Sequence, residues 1–357
     1  MGYTYKTMEQ STRRRFLASA AAATAAGPLI LNASDKSGSK RPITGVGEWK
    51  YEMIHDWGEL PAGLKYGNTH GVIEDSQGRI YVHHTVNKTS EKHDTMVVFD
   101  DKGKFIKSWG KEFEGGAHGL HIQKEGGTEF LYLCDTKRAV VVKTTLDGEQ
   151  VWSVGYPDKA KEYEPDADGK KKKYSPTNLA IAPNGDVYVG DGYGSSYINQ
   201  YNSKGEYIRT FGGKGSAPGQ LDCPHGITVD TRGKSPVLTV ADRSNKRLQH
   251  FSLDGKHIAF TQSDKLTAPC HFHARKGKFV IPDLDASVAL LDEKNNLITT
   301  LGRADDAKQA RTLRTKERET FVPGQFICPH GACFDHKGNI FVVEWVEVGR
   351  VTKLQKV

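Results

Sequence analysis

Histidine–glycine pairs recur along this chain, each just ahead of an apolar stretch. The string Cys-Pro-His-Gly occurs at residues 223–226 and again at 328–331, and shorter forms occur at 69–71 and 117–119. Imidazole is the commonest metal ligand among protein side chains, and three imidazoles with one open position are the arrangement of a catalytic zinc site. Metal chemistry at these histidines requires a fold that brings distant segments to one point.

An internal repeat supplies such a fold. The chain is self-similar at a period of roughly 40 to 55 residues, which is typical of propellers and solenoids. In the clearest unit, residues 224–260, four short β-rich runs are separated by glycine-containing turns, which indicates four antiparallel strands. The first strands of successive units begin near His70, His118, Thr177, His225, Cys270 and His330.

The last unit, residues 328–357, ends after its third strand. Residues 51–58 match the missing fourth strand, so we expect this N-terminal strand to complete the last blade and close the ring, which hides sheet edges. The sequence therefore predicts an all-β fold, a six-bladed β-propeller over residues 47–357. Two charged stretches, 156–174 and 303–322, do not fit the repeat and are expected to be surface connections, the second with a short helix.

The N-terminal segment has the pattern of an export signal. Residues 12–17, Thr-Arg-Arg-Arg-Phe-Leu, precede an alanine-rich run that ends in small residues. The order resembles a twin-arginine signal, which implies a periplasmic or secreted protein that is exported already folded. The alternative is a disordered tail. We expect residues 1–33 to be the signal peptide and residues 34–46 a linker.

Composition excludes some classes of partner. The full chain has a net charge of +7, and residues 1–33 contribute four basic residues and one acid. The rest of the chain is therefore only mildly basic. We therefore expect no nucleic-acid partner. No later apolar run reaches the roughly 18 residues needed to span a bilayer. The five cysteines show no spacing from which a disulfide framework can be derived.

The repeat sets the level of each side chain along the central channel. Blades 2, 4 and 6 alternate around a six-fold ring, so His118, His225 and His330 are predicted to converge on the axis and to bind zinc or another divalent metal. The alternative is three channel histidines that are hydrogen-bonded to water or to carbonyl groups. His70 is a candidate fourth ligand or substrate contact. The glycine after each histidine allows the backbones to approach closely.

The second strands end at a mostly acidic position. Its residues are His84, Asp135, Asp191, Asp242, Asp283 and Glu344. We expect the acids to accept backbone N–H groups, and His84 and Glu344 are also candidate substrate contacts. Tyr193 and Arg243 follow this position at the channel mouth, where they either face a bound substrate or are solvated loop residues.

Two resemblances extend this interpretation. Residues 212–255 resemble an NHL repeat, a propeller-forming unit. The run from residue 176 through both Cys-Pro-His-Gly strings is similar to peptidyl-α-hydroxyglycine α-amidating lyase. That family is a six-bladed propeller with zinc on three histidines, and it cleaves hydroxyglycine-extended peptides to a peptide amide and glyoxylate. The resemblance implies His118, His225 and His330 as zinc ligands, Tyr193 as a catalytic base and Arg243 as a substrate-binding arginine.

The chain departs from this family at three positions. His84 stands where the family has a second arginine, Cys328 where it has a methionine, and Gly331 where it has an acid used for calcium. These differences favour zinc over calcium and leave the substrate pocket altered.

Three functions therefore remain open from the sequence. The first is an exported metal-dependent lyase that acts on a small-molecule or peptide substrate of the carbinolamide type. The second is a lactonase-like hydrolase that uses the same metal. The third is a non-catalytic NHL propeller that presents one face to a protein or glycan partner.

Overall fold

The computed structural model describes residues 31–34 and 40–357. The arginines and the alanine-rich run of the predicted export signal lie outside the described residues. The division into signal, linker and propeller stays a prediction, although the stretch 34–46 does contain the strand Lys40–Thr44.

The chain forms a six-bladed β-propeller, as the repeat predicts. Five four-stranded antiparallel sheets and one six-stranded sheet follow each other along the chain. The strands are, in order, β1 (Leu31–Ser34), β2 (Lys40–Thr44), β3 (Tyr51–His55), β4 (Thr69–Glu74), β5 (Ile80–His84), β6 (Met96–Phe99), β7 (Phe105–Trp109), β8 (Ala117–Glu125), β9 (Thr128–Asp135), β10 (Val140–Thr145), β11 (Gln150–Val154), β12 (Asn178–Ile181), β13 (Val187–Gly190), β14 (Tyr197–Tyr201), β15 (Tyr207–Gly212), β16 (Pro224–Asp230), β17 (Val237–Asp242), β18 (Arg247–Phe251), β19 (His257–Thr261), β20 (His273–Arg275), β21 (Lys278–Asp283), β22 (Ser287–Leu291), β23 (Leu297–Leu301), β24 (Pro329–Phe334), β25 (Ile340–Glu344) and β26 (Arg350–Lys356).

Blades 1 to 5 take four consecutive strands each, from β4–β7 to β20–β23, and their first strands lie against those of neighbouring blades. Blade 6 contains β24–β26 and is completed by β3, which pairs antiparallel with β26. The predicted closure of the ring by an N-terminal strand is therefore confirmed. The strands β2 and β1 extend the same sheet outward.

Local sequence explains why the chain folds into these blades. Alternating β-branched and aromatic residues favour strands, and in blade 1 Val82 pairs with Val72 on one side and Val97 on the other, all fully buried. The third-to-fourth-strand turns use short polar side chains. The Asp100 carboxylate, for example, accepts the N–H groups of Lys102 and Lys104, so the tight turn satisfies its own backbone donors.

Helices are few in the described part of the chain. The α-helix α1 (Ala307–Thr312) lies in the second charged stretch, as predicted, and Asp306 caps its N-terminus by accepting two backbone N–H groups. Short 3₁₀ turns occur at Lys111–Phe113, Lys161–Tyr163, Arg243–Asn245, Leu313–Thr315 and Arg318–Thr320. Within the described residues, no helix has the length and apolar character to cross a membrane.

Candidate metal centre

Four buried histidines meet at one end of the central channel. Among the three from alternate blades, the ring centroids are 4.9 Å apart for His118 and His225, 4.8 Å for His118 and His330, and 4.7 Å for His225 and His330. His70 joins them, with its ring centroid 4.6 Å from that of His118 and 4.5 Å from that of His330. The structure therefore brings together the side chains that blade alternation placed on the axis.

A backbone irregularity aims each of these histidines. The antiparallel register shifts at the His-Gly pair in blades 1, 2, 4 and 6, where the first strand pairs with the second. The paired residues of the first two strands of blade 3 keep one register, whereas in blade 5 the register also shifts by one residue, between the bridge Pro269–Asp283 and the pair His273–Val280. A β-bulge re-aims a side chain relative to a regular strand. All four His-Gly pairs therefore lie at bulges, and blade 5 has a comparable shift near Cys270.

The three alternate-blade histidines share one orientation. Each places its Nδ1 within hydrogen-bond distance of the carbonyl oxygen at the matching position of the next blade. The pairs are His118 with Thr177 at 2.6 Å, His225 with Cys270 at 2.8 Å, and His330 with His70 at 3.0 Å. Only a protonated Nδ1 can donate to a carbonyl, so Nε2 is left with its lone pair. This orientation by an outer hydrogen bond is typical of metal-ligating histidines.

The glycine after each histidine makes room for that carbonyl. A Cβ atom added at Gly226 would lie 2.5 Å from the Cys270 oxygen, and one added at Gly331 would lie 2.5 Å from the His70 oxygen. At Gly119 the distance to the Thr177 oxygen would be 2.7 Å. The close approach of neighbouring blades predicted from the sequence is therefore confirmed. It places the carbonyl of the next blade where it can orient the imidazole.

One observed set of donor atoms is close enough to share a metal ion, and the predicted set differs from it in one histidine. One ligand atom each from His70, His118 and His330 lies within 4.8 Å of the others. His225, which the sequence places in the ligand set instead of His70, has its Nε2 3.0 Å from the Tyr193 hydroxyl. His118 and His330 belong to both sets. Buried, neutral nitrogen donors of this kind suit zinc better than calcium, which prefers oxygen ligands.

Burial keeps these imidazoles neutral. It lowers the pKa of His118 to about 3, and it lowers the pKa values of His70, His225 and His330 well below their usual value, with further lowering from the neighbouring histidines and from Arg243 or Arg314. Neutral imidazole is the form that binds a metal, so the cluster is in its ligand form at neutral pH.

Tyr193 and Arg243 lie beside the cluster, at the channel mouth. The Tyr193 hydroxyl is 3.0 Å from His225 Nε2 and 3.3 Å from His118 Nε2. The Arg243 guanidinium lies 5.4 Å from the centre of the Tyr193 ring, and its Nη1 is 3.8 Å from Cys270 Sγ. Burial raises the pKa of Tyr193 to about 12, and the charge of Arg243 acts in the opposite direction.

The acids at the ends of the second strands build the turns that carry these side chains. The Asp191 carboxylate accepts the N–H groups of Ser175 and Ser195, and so fixes the loop that carries Tyr193. Glu344 accepts the N–H of Ile327 at 2.7 Å and pairs with Arg350. Both Glu344 oxygens are thus engaged within blade 6, which favours a structural role over the predicted substrate contact.

His84 occupies the same position in blade 1. Its Nδ1 accepts the N–H of Val86 at 3.0 Å, and its ring packs edge-on against Tyr66. These contacts are those of a turn residue, but Nε2 of His84 is buried and has no hydrogen-bond partner among the described residues, so the substrate contact at His84 stays a prediction. The neighbouring His83 is fully buried, and neither of its ring nitrogens has a hydrogen-bond partner among the described residues.

The structure separates Cys270 from the two histidines that follow it. Cys270 faces Arg243, whereas His271 and His273 line a separate cavity of about 300 Å³ together with His121. The first strands of blades 1 to 5 contribute to this cavity, so it lies on the same channel beyond the four-histidine cluster.

One regularity that sequence reasoning missed fixes the layer at the channel mouth. In five blades the residue after the end of the second strand donates its N–H to the carbonyl two residues before the axial His or Cys of the same blade, and in blade 3 the donor to the corresponding Ser175 carbonyl is Tyr193, two residues after Asp191. The five pairs are Thr85 with Asn68, Thr136 with Gly116, Arg243 with Cys223, Leu284 with Ala268, and Trp345 with Cys328. Counting one residue past each acid would have revealed these mouth positions, including Trp345.

Fold and site together define a six-bladed β-propeller with a buried histidine cluster on its axis. The chain is similar to human NHL repeat-containing protein 3, at 25% identity over 57% of this chain and 57% of that protein. No protein-family model matches the chain. Mouse peptidyl-glycine alpha-amidating monooxygenase is 26% identical over 247 residues, which cover 60% of this chain and 24% of that protein. The probable peptidyl-alpha-hydroxyglycine alpha-amidating lyase of Caenorhabditis elegans is 24% identical over 279 residues, which cover 72% of this chain and 71% of that protein.

In sequence, the chain is therefore similar to the amidating lyases. It spans 24% or less of the length of the amidating monooxygenases with which it aligns. Among solved structures, a streptogramin B lyase matches with a TM-score of 0.57 at 11% identity, covering 85% of this chain and 97% of that one. At this identity the match shows the fold alone.

Acid is expected to destabilise the metal-free protein. Burial lowers the pKa values of His83, His84 and His273 from 6.5 to about 3 in the folded state. Between these values the unfolded chain binds more protons, so the free energy of unfolding decreases as the pH is lowered, by up to about 1.4 kcal/mol per pH unit for each such histidine. The thermal unfolding midpoint in chelator should therefore be lower at about pH 5 than at about pH 7.5. Equal midpoints would contradict the buried, neutral state of these histidines.

Proposed function

We propose that the protein is a metal-dependent lyase that cleaves carbinolamide substrates of the peptidyl-α-hydroxyglycine type to an amide and glyoxylate. The observation that carries this proposal is the set of three histidines whose Nδ1 atoms face backbone carbonyls. Their Nε2 atoms lie beside the Tyr193 hydroxyl in His118 and His225, and 3.3 Å from His70 Nδ1 in His330. The sequence similarity to amidating lyases supports the same chemistry.

His118 and His330 would hold the metal together with His225, His70 or both. A bound zinc ion would act as a Lewis acid toward the substrate oxygen. Zinc fits the donor set because all four side chains are buried and neutral. We propose no calcium site, since the cluster offers nitrogen rather than oxygen donors.

Tyr193 and Arg243 would handle the substrate. Arg243 offers a planar fork that matches the carboxylate of the hydroxyglycine group. Tyr193 would take or relay the proton of the carbinol hydroxyl as the C–O bond becomes a carbonyl and the C–N bond breaks, with a proton passing to the leaving amide nitrogen. Burial favours the protonated phenol, so Tyr193 can act as a base only if nearby positive charge stabilises its phenolate. The chain supplies part of that charge through Arg243.

We also propose that the protein is exported by the twin-arginine route to the periplasm or the medium. The motif at residues 12–17 supports this, because twin-arginine signals are read by a dedicated export receptor.

The five cysteines are all buried free thiols in the structure, so its fold needs no disulfide.

Glyoxylate release tests the proposed function. The zinc-loaded protein should release glyoxylate from an N-acylated dipeptide ending in α-hydroxyglycine, and chelation should stop it. Tyr193→Phe should lower kcat by about 10²- to 10⁴-fold, the usual contribution of acid–base catalysis, without loss of zinc. The matched control is Tyr207→Phe on the outer strand of the same blade, whose hydroxyl contacts only Thr210 among the described residues.

Each result of this assay separates the functions. Absence of glyoxylate from metal-loaded protein would contradict the lyase. Hydrolysis of a lactone by the same preparation would then favour the hydrolase, and the absence of stoichiometric metal would favour a non-catalytic binding propeller. Wild-type turnover by Tyr193→Phe would remove Tyr193 from the mechanism.

A further inference from the structure

A second arginine reaches the channel mouth from the charged stretch between blades 5 and 6. Arg314 lies in the 3₁₀ turn after α1, and its guanidinium carbon is 3.6 Å from the centre of the Trp345 ring. Its Nη2 is 3.3 Å from the Asn68 side-chain oxygen. The N–H of Glu347 donates to the Arg314 carbonyl, which ties the turn to blade 6.

The neighbours of Arg314 place it beside the metal-ligand candidates. Asn68 is two residues before His70, and Trp345 donates its N–H to Cys328, two residues before His330. Arg243 makes the equivalent backbone bond to the residue two before His225. Arg314 is therefore in the mouth layer that contains Arg243, two blades further around the ring.

The guanidinium of Arg314 does not use all of its N–H donors within the protein. Its Nε is buried and has no hydrogen-bond partner among the described residues, and the side chain as a whole is 22% exposed. The nearest acid, Glu347, is 4.0 Å away and 55% exposed, so it contributes little as an ion pair. The stack on Trp345 holds the plane of the guanidinium fixed. A fixed fork with free donors is suited to a carboxylate.

We infer that Arg314 binds a second carboxylate of the substrate, two blades around the ring from the one that Arg243 would hold. This inference rests on the proposed function and narrows its substrate class. The preferred substrates are hydroxyglycine compounds with an acidic side chain or acyl group next to the scissile carbinolamide. A peptide with glutamate before the hydroxyglycine belongs to this class, and the isosteric glutamine peptide does not.

Equilibrium binding tests the inference without relying on turnover. Isothermal titration of the metal-loaded protein should show glutarate or adipate binding about tenfold or more tightly than the monocarboxylate valerate. Arg314→Gln should abolish this preference. Arg311→Gln, on the preceding helix and 47% exposed beside Asp285, should retain it. A preference that is absent in the wild type, or that survives in Arg314→Gln, would overturn the inference.

Two further measurements keep the test decisive. If Arg314→Gln unfolds, Arg314→Lys can replace it, because lysine keeps the charge without the planar fork. This variant should have an unchanged unfolding midpoint and a reduced preference for the dicarboxylates over valerate. A full preference would overturn the inference. In the glyoxylate assay, the glutamyl substrate should exceed the glutaminyl one in kcat/KM, chiefly through KM. Failure of the proposed function would instead appear as no glyoxylate from either peptide, whatever the carboxylates bind.

Discussion

Replacing His118 with alanine should abolish metal binding and, with it, turnover. His118 belongs to both overlapping donor sets, and its imidazole is fixed by the Thr177 carbonyl. Loss of a mere supporting hydrogen bond costs about 10- to 100-fold in metal affinity, so loss of the ligand itself should cost more. Because bound metal stabilises the folded state by mass action, the metal-dependent part of the unfolding midpoint should disappear as well. Metal content after dialysis and the midpoint with and without chelator are the measurements.

The same measurements decide between the two donor sets. If His225 is a ligand, as blade alternation predicts, His225→Ala should lower metal content and stability together. If His70 takes its place, His70→Ala should have that effect and His225→Ala should mainly affect turnover through Tyr193. His93→Ala at the surface is the control, since that side chain is 55% exposed and pairs with Glu114. Full metal content in His118→Ala would refute the cluster as the metal site.

Replacing Gly226 with alanine should destabilise the fold and weaken metal binding at the same time. The new Cβ would lie 2.5 Å from the Cys270 oxygen and 2.8 Å from the His271 Cα, both of which are on a neighbouring blade. Neither backbone can move without separating blades 4 and 5, so we expect a loss of about 1–3 kcal/mol or more in the free energy of unfolding. Metal affinity should fall as well, because the displaced carbonyl is the one that orients His225.

Denaturant unfolding and metal titration of Gly226→Ala measure both effects. The control is Gly233→Ala, where the nearest atom to an added Cβ is the Ser235 oxygen at 3.8 Å and the residue is exposed. That variant should unfold like the wild type. If Gly226→Ala were equally stable and bound metal normally, the close approach of the blades would not be what selects glycine.

Much of the fold could be predicted because a repeat fixes it many times over. Each blade carries the same strand pattern, and one unpaired fourth strand at residues 51–58 is enough to indicate a closed ring. The convergence of His118, His225 and His330 follows from the blade count alone. The glycine requirement follows from how tightly first strands crowd an axis.

The remaining features depend on geometry that residue counting cannot supply. The hydrogen bonds from Nδ1 to the carbonyls of the next blade decide which nitrogen is left as a ligand, and the packed ring brings His70 as close to His118 as the other histidines are. The raised pKa of Tyr193 comes from burial, which only the packed structure reveals. Arg314 belongs to a stretch outside the repeat, so no periodicity places it, and only the stack on Trp345 shows where it lies.

One measurement tests the metal centre most directly. Crystals of the zinc-loaded protein should give an anomalous difference peak, present above the zinc absorption edge and absent below it, on the channel axis. We expect that peak about 2.0–2.1 Å from Nε2 of both His118 and His330, with His225 or His70 completing the site. A channel without such a peak, or zinc found only elsewhere on the molecule, would contradict the account.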